Sequence, residues 1–186
     1  MANFQKDGLW VQGGQGKLAN VNETTPYVPG QLGKVLAIRD TTYNSPRFYQ
    51  YVQRYTTDTY TPAAGSIFYW NDYTKFIVTL DSTAAIGSST NPVVAGVALG
   101  TYPGTGNYGF IQVGGIASAA VTDTIAAGDG LVAALNTFQQ LADIGTVTTQ
   151  QALAAQIPIV AIALSAVGTS TNSAIDVGLR TFQVGW

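Results

Sequence analysis

The chain has 186 residues, enough for one domain of ordinary size with little room for a second, and 46% hydrophobic against 10% charged residues exclude a wholly disordered chain. With no cysteine and no histidine, disulfides, thiolate zinc sites, cysteine nucleophiles and the Ser-His-Asp and Cys-His triads are excluded together. The net charge of −2 excludes the clustered basic face of a nucleic-acid binder, although the charge is uneven: residues 1–75 sum to +2 and residues 76–186 to −4.

In chain order, MANFQKDGLWVQ has no apolar core of a secretory signal, and synthesis in the cytoplasm is expected. Residues 1–33 are rich in Gly, Asn and Gln, carry Phe4, Leu9 and Trp10 as apolar anchors, and end in Pro26, Pro29 and Gly30. They are expected to form an extended N-terminal arm lying on another surface. GGQGK (13–17) lacks the spacing of a phosphate loop.

Residues 34–186 read as a β-rich domain. Nine alternating or β-branched runs lie between Gly/Pro/Asn/Asp/Thr clusters: KVLAI (34–38), RFYQYVQRY (47–55), SIFYW (66–70), FIVTL (76–80), VVAGVAL (93–99), YGFIQV (108–113), GLVAAL (130–135), PIVAIAL (158–164) and IDVGL (175–179). TTQQALAAQ (148–156) is the single helical candidate, stopped by Pro158. The apolar stretch 157–168 is far shorter than the ~20 residues of a spanning helix, so a buried strand and no membrane are expected.

Within the domain the sequence repeats itself. FYQYV (48–52), TDT (57–59), AAG (63–65) and IF (67–68) return in order as FIQVG (110–114), TDT (122–124), AAG (126–128) and LV (131–132); PVVAGVAL (92–99) returns as PIVAIAL (158–164), and IQVG (111–114) as IDVG (175–178). Spacings of 62 to 67 residues imply two copies, about 35–99 and 97–164, overlapping head to tail. Two copies are too few for a solenoid. The expected fold is therefore all-β, a compact β-barrel or two-sheet β-sandwich built from a pseudo-repeated unit, with strand edges hidden by closure.

The chemistry-bearing patterns are sparse. GTGNYG (104–109) spells the dinucleotide fingerprint, but a strand follows it instead of the helix whose N-terminus would meet the pyrophosphate, so a hairpin turn is expected. Asp58 and Asp123 sit at matching places inside TDT, where an Asp accepting backbone N–H bonds in a turn outweighs a glycosidase pair. Asp123 and Asp129 lack the ligand series of a calcium loop. Catalytic, cofactor and metal sites are thus expected to be absent. Fourteen of the twenty aromatic residues fall within 1–76, which suits either an interface or half-buried strand positions.

The strings PGQLGKV (29–35), YVQ (51–53), PAAGSIFYW (62–70), NPVVAGVALG (91–100), YGFIQVGG (108–115) and AAGDGLV (126–132) resemble the capsid decoration, or cement, proteins of tailed bacteriophages. The resemblance covers roughly residues 30 to 135 and is one of strands and turns; residues 1–33 have no counterpart in it. It implies a non-enzymatic β-rich virion protein, a homotrimer, bound through the major capsid protein to the outer capsid surface and made in the bacterial host cytoplasm, with no nucleic acid, membrane or cofactor involved. The expected capsid or subunit interface is Phe4, Leu9, Trp10, Tyr49, Tyr51, Tyr55 and Trp70. The alternative expectation is a receptor-binding or fibre module gripping a host-surface glycan.

Overall fold

The computed structural model describes residues 2–4, 10–12, 18–26, 32–40, 44–87, 92–101, 103–122, 124–133, 141–143, 160–168 and 173–179. Among the described residues, strands β1 (Ala2–Phe4) and β2 (Trp10–Gln12) pair only with each other. The remaining strands form one 10-stranded sheet. They are β3 (Val35–Asp40), β4 (Ser45–Arg54), β5 (Ile67–Asp72), β6 (Ile77–Thr79), β7 (Val94–Ala98), β8 (Tyr108–Val121), β9 (Gly130–Ala133), β10 (Leu141–Asp143), β11 (Ala161–Ala163) and β12 (Ser173–Leu179). All nine strand-like runs of the sequence are strands; the helical candidate 148–156 lies outside the described residues.

The sheet closes on itself twice. In the first ring β4 meets β6 in parallel, β6 meets β5, β5 meets β7, β7 meets β8, and β8 returns to β4, the last four contacts antiparallel. The second ring repeats this plan: β8 meets β10 in parallel, then β10–β9, β9–β11, β11–β12 and β12–β8 are antiparallel. The architecture is of the barrel kind, and the 14-residue β8 belongs to both rings, its first half closing one and its second half opening the next.

The pairings fix which residues are equivalent. Gln112, bonded to Tyr49 and Val97, corresponds to Gly178, bonded to Ile116 and Ile162. Phe68 opposite Gly96 corresponds to Leu131 opposite Ala161. The units therefore run from β4 to β8 and from β8 to β12, and Gln50–Arg54 answers to Ala117–Val121, not to the FIQVG that it most resembles in sequence. Sequence likeness follows the aromatic and β-branched run, whereas the second half of β8, GGIASAAV, is built from small residues that carry no strand signal.

Alternation sorts the strands' side chains into separate clusters. Phe68 and Trp70 point into the first ring with Val52, Val78, Ala98, Ile111 and Val113. Their neighbours Ile67 and Tyr69 join the cluster of the second ring, around Ala117, Ala119, Val121, Leu131, Ala161, Ala163, Ile175 and Val177. A third cluster, Leu18, Leu36, Tyr49, Tyr51 and Phe110, seats β3 and part of the arm on β4 and β8. The arm is thus anchored from Leu18 onward: Glu23 exchanges backbone hydrogen bonds with Tyr108 (3.0 and 2.8 Å), and the Asn22 side chain accepts from Gly104 N–H (2.8 Å).

Two glycines make the close approaches possible. A Cβ on Gly96 would stand 2.5 Å from the Gln112 carbonyl oxygen of the neighbouring strand. Gly115 has φ +81° and lies against Pro46 O where β8 leaves the first ring, opposite a register shift at Phe48/Tyr49.

Candidate functional site

The most densely bonded polar group lies at one end of the first ring. Arg54 ends β4, and its Nε donates to Asp58 Oδ2 at 3.2 Å with both side chains almost fully buried. The same oxygen accepts from Leu80 N–H (2.7 Å) and Thr79 Oγ1 (3.3 Å), while Oδ1 accepts from Tyr60 N–H (3.1 Å). Arg54 Nη1 reaches Pro103 O at 3.3 Å and Thr105 Oγ1 donates to Asp58 O at 2.8 Å. A carboxylate whose two oxygens both hold donors ties the 55–60 turn, the end of β6 and the loop before β8 together, while Arg54 Nη2 is buried without a hydrogen-bond partner. The hydroxyl of the first TDT motif's neighbour strand and the Asp itself are structural in this arrangement, as turn chemistry predicts.

Three other carboxylates, Asp72, Asp81 and Asp129, repeat that use nearer the surface. Asp72 Oδ1 accepts from Thr74 N–H, Thr74 Oγ1 and Lys75 N–H. Asp81 caps the 3-10 turn Ser82–Ala84 by accepting from Thr83 N–H (2.8 Å), and Asp129 Oδ2 accepts from Ala126 N–H (2.7 Å). The Thr74 hydroxyl, opposed by desolvation and helped by the Lys75 backbone and side chain and the Thr74 backbone, holds the Asp72 carboxyl below its ordinary range. Asp123 lies outside the described residues. GTGNYG forms the turn ahead of β8, with Asn107 N–H bonded to Gly104 O (3.0 Å), and a strand follows it.

A cleft of about 390 Å³ opens where β8 passes between the rings, lined by Arg47, Gly65, Val97, Leu99, Gln112 and Ser118 among others. Gln112 is buried, and its amide donates to Gly114 O (3.1 Å) and Ile116 O (2.9 Å), so one side chain spans the bend made by Gly115. The signal for this bend was the Gly114-Gly115 pair inside an otherwise strand-like run, which marks a bulge.

Three residues of the expected interface, on β4 and β5, are not at the surface of the chain. Tyr49 and Tyr51 are fully buried and Trp70 is 3% exposed. Tyr51 packs against Phe110 (ring centroids 5.0 Å apart) and Tyr108 (6.3 Å), and Trp70 meets the edge of Phe76 at 6.4 Å inside the first ring. The cause is that both faces of β4 are covered, one by the ring interior and the other by Leu18, Leu36 and Phe110. Tyr55 is half-buried beyond the end of β4, its N–H bonded to Val78 O (2.8 Å). Phe4 and Trp10 face each other across the β1–β2 pairing, and Leu9 and the side chains of all three lie outside what the structure describes. Among the described side chains, Tyr49, Tyr51, Tyr55 and Trp70 do not form one surface patch.

Large apolar groups that do reach solvent are Val35, Tyr73, Val93, Ile162 and Leu164. Among the described residues no helix is long and apolar enough to cross a membrane. The sequence matches no model of a protein family and no curated protein.

Proposed function

We propose that this protein is a non-catalytic structural component of a tailed-phage virion, which binds the major capsid protein on the outer face of the shell as a homotrimer and reinforces the lattice. The observation that carries the reading is where the family-like strings fall in the fold. PAAGSIFYW makes the turn into β5 and the strand itself, NPVVAGVALG makes β7, YGFIQVGG the first half of β8, and AAGDGLV the turn into β9 and that strand. The resemblance therefore lies in the skeleton of the double ring. The use of Asp58, Asp72, Asp81 and Asp129 as turn ties supports the same reading, because their oxygens are engaged in holding loops.

A partner that binds only the assembled lattice stabilises it by RT ln(1 + [L]/Kd) at every site, and many sites add. A glycan-gripping module is less well supported, since Tyr49, Tyr51, Tyr69 and Trp70 of the aromatic-rich half are inside the protein, which leaves Tyr73 as the exposed tyrosine among the described residues. The test is to add purified protein to shells lacking it. Saturable binding at a copy number approaching that of the capsid protein, with a rise in the temperature at which shells release their contents, is the expected result. Binding at only a few copies per particle, with no change in shell failure, would overturn the proposal.

A further inference from the structure

The double ring leaves one strand of the large sheet unfinished. Every other strand in it is paired on both sides, whereas β3 has β4 on one side and no strand on the other among the described residues. Closure of a sheet removes the row of free N–H and C=O groups that invites another chain, and here closure has an exception six residues long.

The backbone of that edge is oriented for pairing. Tyr51 N–H donates to Lys34 O (3.1 Å), and Pro46, which has no N–H, stands opposite Arg39. Alternation along an antiparallel ladder then turns Leu36 and Ile38 toward β4 and directs the N–H groups of Val35, Ala37 and Arg39 outward. The side chains of Val35, Ala37 and Arg39 are exposed, Val35 to 49%, and no proline interrupts β3.

The other unfinished strands of the described chain are β1 and β2, which form a two-stranded sheet with no third partner. An isolated hairpin of this size is marginal in water and gains stability by adding to a further strand. In the single chain it belongs to a different sheet from β3, although the arm's root at Leu18 shares a cluster with Leu36 of β3. We propose that the open edge of β3 receives the β1–β2 hairpin of a second copy of this chain, by β-strand addition, so that copies are linked through exchanged arms. A contact between two different patches, edge and hairpin, is heterologous and closes into a ring when repeated by rotation. The inference rests on the homo-oligomer in the proposed function and names the contact that makes it.

The absence of cysteine permits a direct test. Ala37→Cys is combined with Val11→Cys on β2 or with Asn3→Cys on β1 in the full chain, and the purified protein is oxidised at micromolar concentration. One of the two double variants should give interchain-linked dimers and trimers on a non-reducing gel that the single-cysteine variants do not give. In parallel, Ala37→Pro should convert the sedimenting species to a monomer without loss of the β-sheet spectrum. A link formed only within one chain would place the hairpin on its own edge and overturn the exchange. Oligomers that persist in Ala37→Pro and yield no interchain link would overturn the β3 contact while leaving the oligomer itself standing. A wild-type monomer would overturn both; should Ala37→Pro fail to fold, the cross-linking pair still decides.

Discussion

Where the first ring carries Val52, Phe68, Trp70 and Ile111, the second carries Ala119, Leu131, Ala133 and Val177 at places set by the same cross-strand pairs. Arg54, which anchors the polar knot of the first ring, has Val121 as its counterpart. The second ring is completed from outside, by Ile67, Tyr69, Val94 and Val97 of the first unit, which join its cluster. The comparison teaches that pairing order and turn chemistry carry the repeat, while the filling is free to change if total volume is supplied from somewhere. It also makes the units unequal partners, since the second leans on side chains of the first.

The largest expected effect comes from the feature that only the first ring has. Asp58→Ala removes the partner of a buried guanidinium and strips acceptors from Leu80 and Tyr60 N–H, and should cost about 3–5 kcal/mol by denaturant unfolding. Trp70→Ala opens a cavity among Val52, Val78 and Ile111, and a loss in the range of about 3–5 kcal/mol is expected from thermal melts. The reverse experiment sharpens the contrast: Ala133→Phe places an aromatic ring at the position equivalent to Trp70, where the alanine is buried. It should destabilise by about 1–3 kcal/mol, and a neutral or stabilising result would mean that the second ring is underfilled.

The smallest effect lies at the surface turn after β5. The folded-state pKa of Asp72 is depressed, so its contribution is present above the unfolded value and is lost as pH falls through the folded one. Asp72→Asn should therefore melt slightly below the wild type at neutral pH, and the two curves should converge on acidification below about pH 4, near the unfolded carboxylate value. A gap that widens in acid would contradict the assigned direction.

Much of this was legible in the sequence, for physical reasons that also explain the gaps. Runs such as SIFYW and FIVTL combine β-branched and aromatic residues between turn formers, and they are β5 and β6 with their approaches. The repeat itself shows in the sequence, but the copies expected at 35–99 and 97–164 meet at 97–99, ahead of the strand the two rings share, which is β8. The register of that overlap was hidden because Gly114, Gly115, Ala117, Ser118 and Ala120 look like a turn and a loop, yet lie in a continuous strand once β12 pairs with them. β10, three residues long, offers too little pattern to read. Tyrosine identity likewise says nothing of which face is covered. Tyr49 and Tyr51 alternate with Gln50 and Val52, and both faces of β4 turned out to be buried, so an aromatic surplus became core instead of surface.

One strand serves two rings, and residue-resolved native-state hydrogen exchange along β8 reads that sharing out strand half by strand half. Strong protection is expected at Phe110–Val113 and again at Ala117–Val121, with a break at Gly114-Gly115 and with the second stretch exchanging sooner, because it depends on the smaller-residue ring. Exchange at Ala117–Val121 as fast as in an unpaired segment, beside a protected first half, would contradict it.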